Sequence, residues 1–317
     1  MSFLATLLLP ALIQTNSIPT ELAQIEAACK GKLGAAIITS QASYYSRKNE
    51  YFSLQSVMKL MVSMVALEQV DKGKWKLNQK FVITKQELSI SYQPLAEELG
   101  SKKSITVTLD KLVNYAVTKS CSASADFMIR KLGGTSKVNE YLKKRGIQGM
   151  TIDRQERQLQ TEVVGLTWNL KYSDEDTFQA DKAKQPAAVL DAAYAKYQKD
   201  KRDSTTPYAM GLLLKKLLAG QLLSPSSTKY LLSVMENTET GTDRLKAGVP
   251  NGWKLAHKTG TSSTHKGVAC ATNDVGIARN AKGDWIIIVA LLRNSTLPPE
   301  KRDNVLCQIA KTAFSRK

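Results

Sequence analysis

Apolar residues occupy most faces of a helical period between residues 56 and about 70, and one lysine, Lys59, lies among them. A helix that is apolar all round is a buried one, and Lys72-Gly73-Lys74 closes it with the expected charge and glycine. Helical spacing predicts further helices over 19–28, 109–118, 123–132, 136–144, 186–197, 207–219, 224–236 and 299–314. Thr205-Thr206-Pro207 is a helix-start signal for one of them. Strand patterns fall near the two ends of the chain, at 33–39 and 42–47 and again at 254–258, 267–278 and 285–293. Residues 152–174 show no clean period and predict a long ordered loop. Helices in the middle and strands at both ends imply a sheet assembled from the two termini, with an all-helical insertion between them. No internal repeat is present.

The run FLATLLLPALI at 3–13 is too short to span a bilayer and fits the core of a signal peptide, with cleavage around 14–17. Export would permit disulfides. Cys29, Cys121, Cys270 and Cys307 allow three full pairings, or four buried thiols.

Composition narrows the chemistry. The 317 residues are ample for a packed core, and 43% hydrophobic with 23% charged excludes a disordered chain. Two histidines, His257 and His265, argue against a multi-histidine metal centre, and no C-x-x-C pair is present. The net charge of +17 admits nucleic acid, an anionic surface or small acidic substrates as partners. The basic residues are dispersed, however, and no RNA-binding aromatic signature, zinc finger or P-loop accompanies them.

Two short motifs carry chemistry. Ser56-Val57-Met58-Lys59 sets a serine at the start of the buried helix with a lysine one turn on, on the same face. Free N–H groups at a helix start favour an oxyanion. A buried lysine can give up its proton readily and activate a hydroxyl without histidine. Lys258-Thr259-Gly260, followed by Thr261-Ser262-Ser263 at the end of a predicted strand, presents a lysine and hydroxyls suited to a substrate carboxylate.

Taken in this order and at this separation, the motifs belong to a known set, and the chain resembles a class A serine β-lactamase over nearly its whole length. The stretches SLQSVMKLMVSMVALEQVDKGK, YAVTKSCSASADFMIRKLGG, TTPYAMGLLLKKLLAGQLLS and TGTDRLKAGVPNGWKLAHKTGTSSTHKGVACATNDVGI carry the resemblance. Ala125-Asp126 and HKTGTSSTHKG are similar to the extended-spectrum branch.

The resemblance implies an α/β fold: a three-layer α-β-α sandwich with a mainly antiparallel five-stranded sheet from both chain ends, plus an all-α domain. The expected division is a signal peptide at 1–17, an α/β domain at 18–50 and 236–317, and an all-α domain at 51–235. The last would carry a catalytic loop at about 152–174 and an Ala-rich, charged insertion at about 174–204, longer than is usual in the family.

For the site, the resemblance implies Ser56 as nucleophile, Lys59 assisting its deprotonation, Ser120 passing a proton to the lactam nitrogen, and Glu156 activating the deacylation water. Gln160 would be a second water anchor. Lys258, Thr259 and Gly260 would hold the substrate carboxylate, the N–H groups of Ser56 and Thr261 would form the oxyanion hole, and Tyr92 would stand at the cleft mouth. One departure touches the site directly: the second motif reads Ser120-Cys121-Ser122 where the family has Ser-Asp-Asn, so Ser122 offers a hydroxyl in place of an amide. The expected partner is a small β-lactam, with no metal, cofactor or nucleic acid, for a monomeric protein that is periplasmic or secreted and keeps no membrane span after processing. The alternatives are a penicillin-binding DD-peptidase, which lacks the deacylating Glu, and a β-lactam sensor that acylates without turnover.

Overall fold

The computed structural model describes residues 17–315, so the predicted signal peptide, apart from Ser17, lies outside the described residues. Five strands form one antiparallel sheet in the order Ser43–Ser46, Lys32–Ile38, Trp285–Arg293, Thr272–Asn280 and Trp253–Thr261. The central strands read as unbroken apolar runs because both faces of the sheet are covered. Side-chain alternation divides them between two cores. Leu33, Ala35, Ile37, Ile286, Ile288 and Ala290 face one side. Ala36, Ile38, Ile287, Val289 and Leu291 face the other.

The first face is covered by helices Ile18–Ala28 and Pro299–Phe314, the second by helix Pro207–Leu218 and the helical body behind it. That makes the α-β-α sandwich, with an all-α portion on one side. The helical body is organised around Met58–Asp71, which is buried from Met58 through Leu67. Helices Leu109–Thr118, Ser122–Leu132, Thr135–Lys144 and Pro225–Glu236 pack on it. No helix among the described residues is long and apolar enough to cross a membrane.

The structure departs from the expected elements in several places. The predicted loop at 152–174 contains a helix, Glu156–Glu162, too short to show a period. The insertion holds two helices rather than one, Glu175–Ala183 and Ala187–Lys199; the Asp174 side chain caps the first by accepting from the Thr177 amide. The predicted strand at 267–278 is broken, because Lys266 and Gly267 both take positive φ and turn the chain back into a hairpin, Thr264–His265 with Val268–Ala269. The sheet strand proper starts at Thr272. Two small sheets in the middle of the chain were not expected. One pairs Lys80–Thr84 with Ser104–Thr108, and the other joins Phe52–Ser53, Ser204–Thr205 and Met150–Thr151. The four cysteines are buried free thiols.

Candidate active site

A cleft of about 380 Å³ opens between the sheet edge and the helical body. It is lined by Ser56, Ser120, Ser122, Glu156, Gln160, Thr259, Gly260, Thr261 and, at its rim, the exposed Tyr92. Every candidate residue except Lys59 and Lys258 therefore lines it directly, and those two sit just beneath its floor, bonded to lining hydroxyls.

Ser56 lies in a tight turn, Gln55–Val57, that feeds the buried helix. Lys59 Nζ donates to Ser56 Oγ at 2.6 Å and lies 2.8 Å from Glu156 Oε1. Ser56 Oγ in turn donates to Glu156 Oε1 at 3.2 Å. Lys59 and Glu156 are each only 1% exposed, so Glu156 is not a solvated loop acid. Burial works to raise its pKa, but the charge of Lys59 and the hydrogen bonds from Lys59, Gln160 and Ser56 outweigh this. The carboxyl is held below its ordinary range. It is thus ionised, water-poor and in contact with the nucleophile's hydroxyl.

The backbone beneath Glu156 is held by a residue whose role the sequence reading did not identify. Asp126, fully buried, accepts from the amides of Glu156 at 2.7 Å and Arg157 at 3.1 Å, and from Ser89 Oγ at 2.6 Å. It anchors the start of the short helix from outside. The loop is closed from the other side by Asp203, which accepts from the Asp153 and Arg154 amides and from Arg154 Nε.

The opposite wall is the strand Trp253–Thr261. Lys258 is fully buried, and its ammonium donates to Ser120 Oγ and to the Thr259 carbonyl, each at 3.0 Å. Burial drives its pKa well below the usual lysine range, and the charge of Lys59 adds to the effect. Gly260 has no room for a side chain: a Cβ there would meet the Leu54 carbonyl at 2.5 Å and Val57 at 3.1 Å. Its bareness lets the strand press against the nucleophile turn, which brings the Thr261 segment alongside Ser56. Arg244, also missed in the sequence, donates to Thr261 Oγ1 at 2.8 Å, to the Asn273 carbonyl at 3.0 Å and to Asp303 at 2.8 Å. Thr240 shares a 2.6 Å hydrogen bond with Thr259. Neither residue stands in a pattern that marks it; only the run TGTDRL near the last motif could have drawn attention to them.

The altered second motif keeps part of its geometry. Lys59 Nζ lies 3.4 Å from Ser122 Oγ, a long contact for a hydroxyl standing where an amide would reach further. Cys121 is buried in the helical core, and its loop is braced by backbone bonds instead: Cys121 N to the Tyr115 carbonyl and Ser122 N to the Tyr92 carbonyl. The insertion also reaches the cleft, where Phe178, Gln179 and Lys182 form part of the lining.

The chain is similar to known proteins over nearly its whole length. A family model described as the beta-lactamase enzyme family matches residues 17–316. Beta-lactamase VEB-1 of Pseudomonas aeruginosa is 28% identical, over 95% of this chain and 91% of that protein. The extended-spectrum beta-lactamase PER-1 of the same organism is 27% identical, over 84% of this chain and 75% of its own length. The solved structure of an ancestral class A beta-lactamase superposes with a TM-score of 0.77 at 25% identity, covering 95% of this chain and all of that one (100%).

Proposed function

Because the chain belongs to the beta-lactamase enzyme family, as a class A serine β-lactamase of the extended-spectrum branch, we propose that it opens the β-lactam ring through an acyl-enzyme on Ser56. Hydrolysis of β-lactams, and with it resistance to these antibiotics, is the function of the chain. The assignment of its steps to residues is our reading. One observation carries it: a serine hydroxyl, a lysine ammonium and an ionised carboxylate stand within 3.2 Å of one another in a buried corner of the cleft.

In acylation, Ser56 Oγ attacks the lactam carbonyl. The Lys59 ammonium, bonded to that oxygen at 2.6 Å, takes up the Ser56 proton as it releases one of its own toward Ser120. The carbonyl oxygen becomes an oxyanion against the amides of Ser56 and Thr261. Ser120, receiving that proton, delivers its own to the departing nitrogen, so Lys59 and Ser120 end as they began and Glu156 stays ionised for the second step. Lys258 and Thr259 hold the substrate carboxylate throughout. In deacylation, Glu156 takes a proton from a water that attacks the ester, with Gln160 beside it, and Ser56 recovers its proton as the ester breaks. A DD-peptidase reading shares the two lysine motifs but has no use for a buried carboxylate in contact with the nucleophile.

The test is turnover of a chromogenic cephalosporin. Ser56→Ala is expected to lower kcat/KM by about 10³-fold or more. Undiminished hydrolysis by that variant would overturn the assignment. Export to the periplasm or medium, and action as a monomer without a retained membrane span, belong to the same proposal. They rest on the apolar run at 3–13 and on a cleft built wholly from one chain. Recovery of the mature protein with Met1 in place, or a solution mass near twice 34.9 kDa, would contradict them.

A further inference from the structure

The insertion ends in a hydrogen-bond chain that leads back to the deacylating carboxylate. Tyr197, on helix Ala187–Lys199, is buried, and its hydroxyl meets Ser53 Oγ at 2.5 Å and the side-chain amide nitrogen of Gln55. Gln55 Oε1 accepts from Gln160 Nε2 at 2.8 Å, and Gln160 Nε2 donates its other hydrogen to Glu156 Oε2 at 3.2 Å.

The direction of each link from Glu156 to Tyr197 is dictated by the ionised end. A carboxylate can only accept, so Gln160 must present its NH₂ group. The second hydrogen of that group then needs an acceptor, which is the Gln55 carbonyl oxygen. The Gln55 NH₂ is thereby turned toward Tyr197, whose oxygen accepts and whose hydroxyl shares a further hydrogen bond with Ser53. Burial pushes the Tyr197 phenol far up, so it stays neutral and keeps its proton. Gln55 itself is held at a φ of +48° immediately before the nucleophile, a conformation that persists for a non-glycine residue only where its surroundings over-determine it. Here both ends of its amide are engaged.

The helix carrying Tyr197 is itself docked on the far wall of the cleft. Tyr194 stacks on His265 with ring centroids 4.3 Å apart and bonds to Ser263 Oγ at 2.5 Å, while Asp191 meets His265 at 2.7 Å and Lys266 at 2.8 Å. The inserted helix therefore bridges the hairpin that follows the substrate-binding strand and the turn that carries the nucleophile.

We propose that Tyr197 is a positioning residue for deacylation, acting through Gln55 and Gln160 to orient the Glu156 carboxylate. This rests on the reading of Glu156 as the deacylating base. Tyr197→Phe keeps the ring and its packing but leaves a buried Gln55 N–H without an acceptor. Single-turnover and steady-state kinetics with one cephalosporin should show deacylation slowed about 5–10-fold, acylation within about 2-fold of wild type, and more acyl-enzyme at steady state by intact mass. The acid limb of kcat should move to higher pH, because a loosened Gln160 no longer helps to hold the Glu156 pKa down. Gln55→Met, which breaks the same chain one link closer, should give the same split, and adding Tyr197→Phe to it should cost nothing more. Equal losses in both steps, or wild-type deacylation with an unmoved acid limb in both variants, would overturn the proposal. Glu156→Gln, run alongside, separates the two ideas. If it blocks deacylation while Tyr197→Phe has no effect, only the role of Tyr197 falls; if Glu156→Gln deacylates normally, the base assignment falls with it.

Discussion

The cleft holds two buried lysines in opposite electrostatic surroundings. Lys59 spends its charge inside the protein, on Glu156 at 2.8 Å and on the nucleophile at 2.6 Å. Lys258 has only neutral oxygens for partners, Ser120 Oγ and the Thr259 carbonyl, and among the described residues no carboxylate lies within ion-pair distance of it. A buried cation without a counter-charge is costly, and its lowered pKa is the expression of that cost. The difference separates two tasks. Around Lys59 the charges cancel, and what remains is proton traffic between Ser56 and Glu156. Around Lys258 a positive charge is left over, and an anionic substrate would complete it.

The comparison can be broken first at Lys258. Lys258→Ala should lower kcat/KM for an anionic β-lactam by about 10–100-fold, mainly through KM, because it removes a charge-assisted hydrogen bond to the substrate rather than a reacting group. A loss confined to kcat would place Lys258 in the chemistry instead.

The same asymmetry predicts a pH effect. Since the Lys258 pKa is depressed in the free enzyme, its charge is present at low pH and lost as pH rises, below the point where an ordinary lysine titrates. KM should therefore climb on the alkaline side, and Lys258→Arg, whose guanidinium does not titrate in that range, should flatten the climb. A KM that is level with pH in the wild type would contradict the picture. The smallest effect is expected on the Lys59 side. Ser122→Asn supplies a longer side chain with both a donor and an acceptor where the present hydroxyl is 3.4 Å from Lys59, and a gain of about 2–10-fold in kcat/KM should follow. A loss would show that the serine is matched to this site.

How much of this could be read in the sequence depended on distance along the chain. Ser56 with Lys59, and Lys258 with Thr259 to Thr261, are each one local unit, one helical turn or one strand edge, so spacing alone brings them together. The buried central helix and the sheet from both termini were legible because apolar runs of their length leave few alternatives. Glu156 was found through resemblance, since its helix has only seven residues and no readable period. Gln55 and Tyr197 are 142 residues apart, and both are residue types that occur everywhere in folded proteins. Nothing in either local context announces their contact. Asp126 was visible as part of a family-like dipeptide, yet its work, holding the Glu156 and Arg157 amides, exists only once two elements meet. The inserted segment, charged and Ala-rich, gave no sign of where it would dock; its contacts run through two buried tyrosines, Tyr194 and Tyr197.

The central claim is that Ser56 is acylated and Glu156 releases it, and intact-mass spectrometry of Glu156→Gln mixed with a cephalosporin tests it most directly. The account predicts a near-stoichiometric, long-lived adduct that maps to the Ser56 peptide, with release slowed by about 10²–10⁴-fold relative to wild type. An adduct on another residue, or release at the wild-type rate, would contradict it.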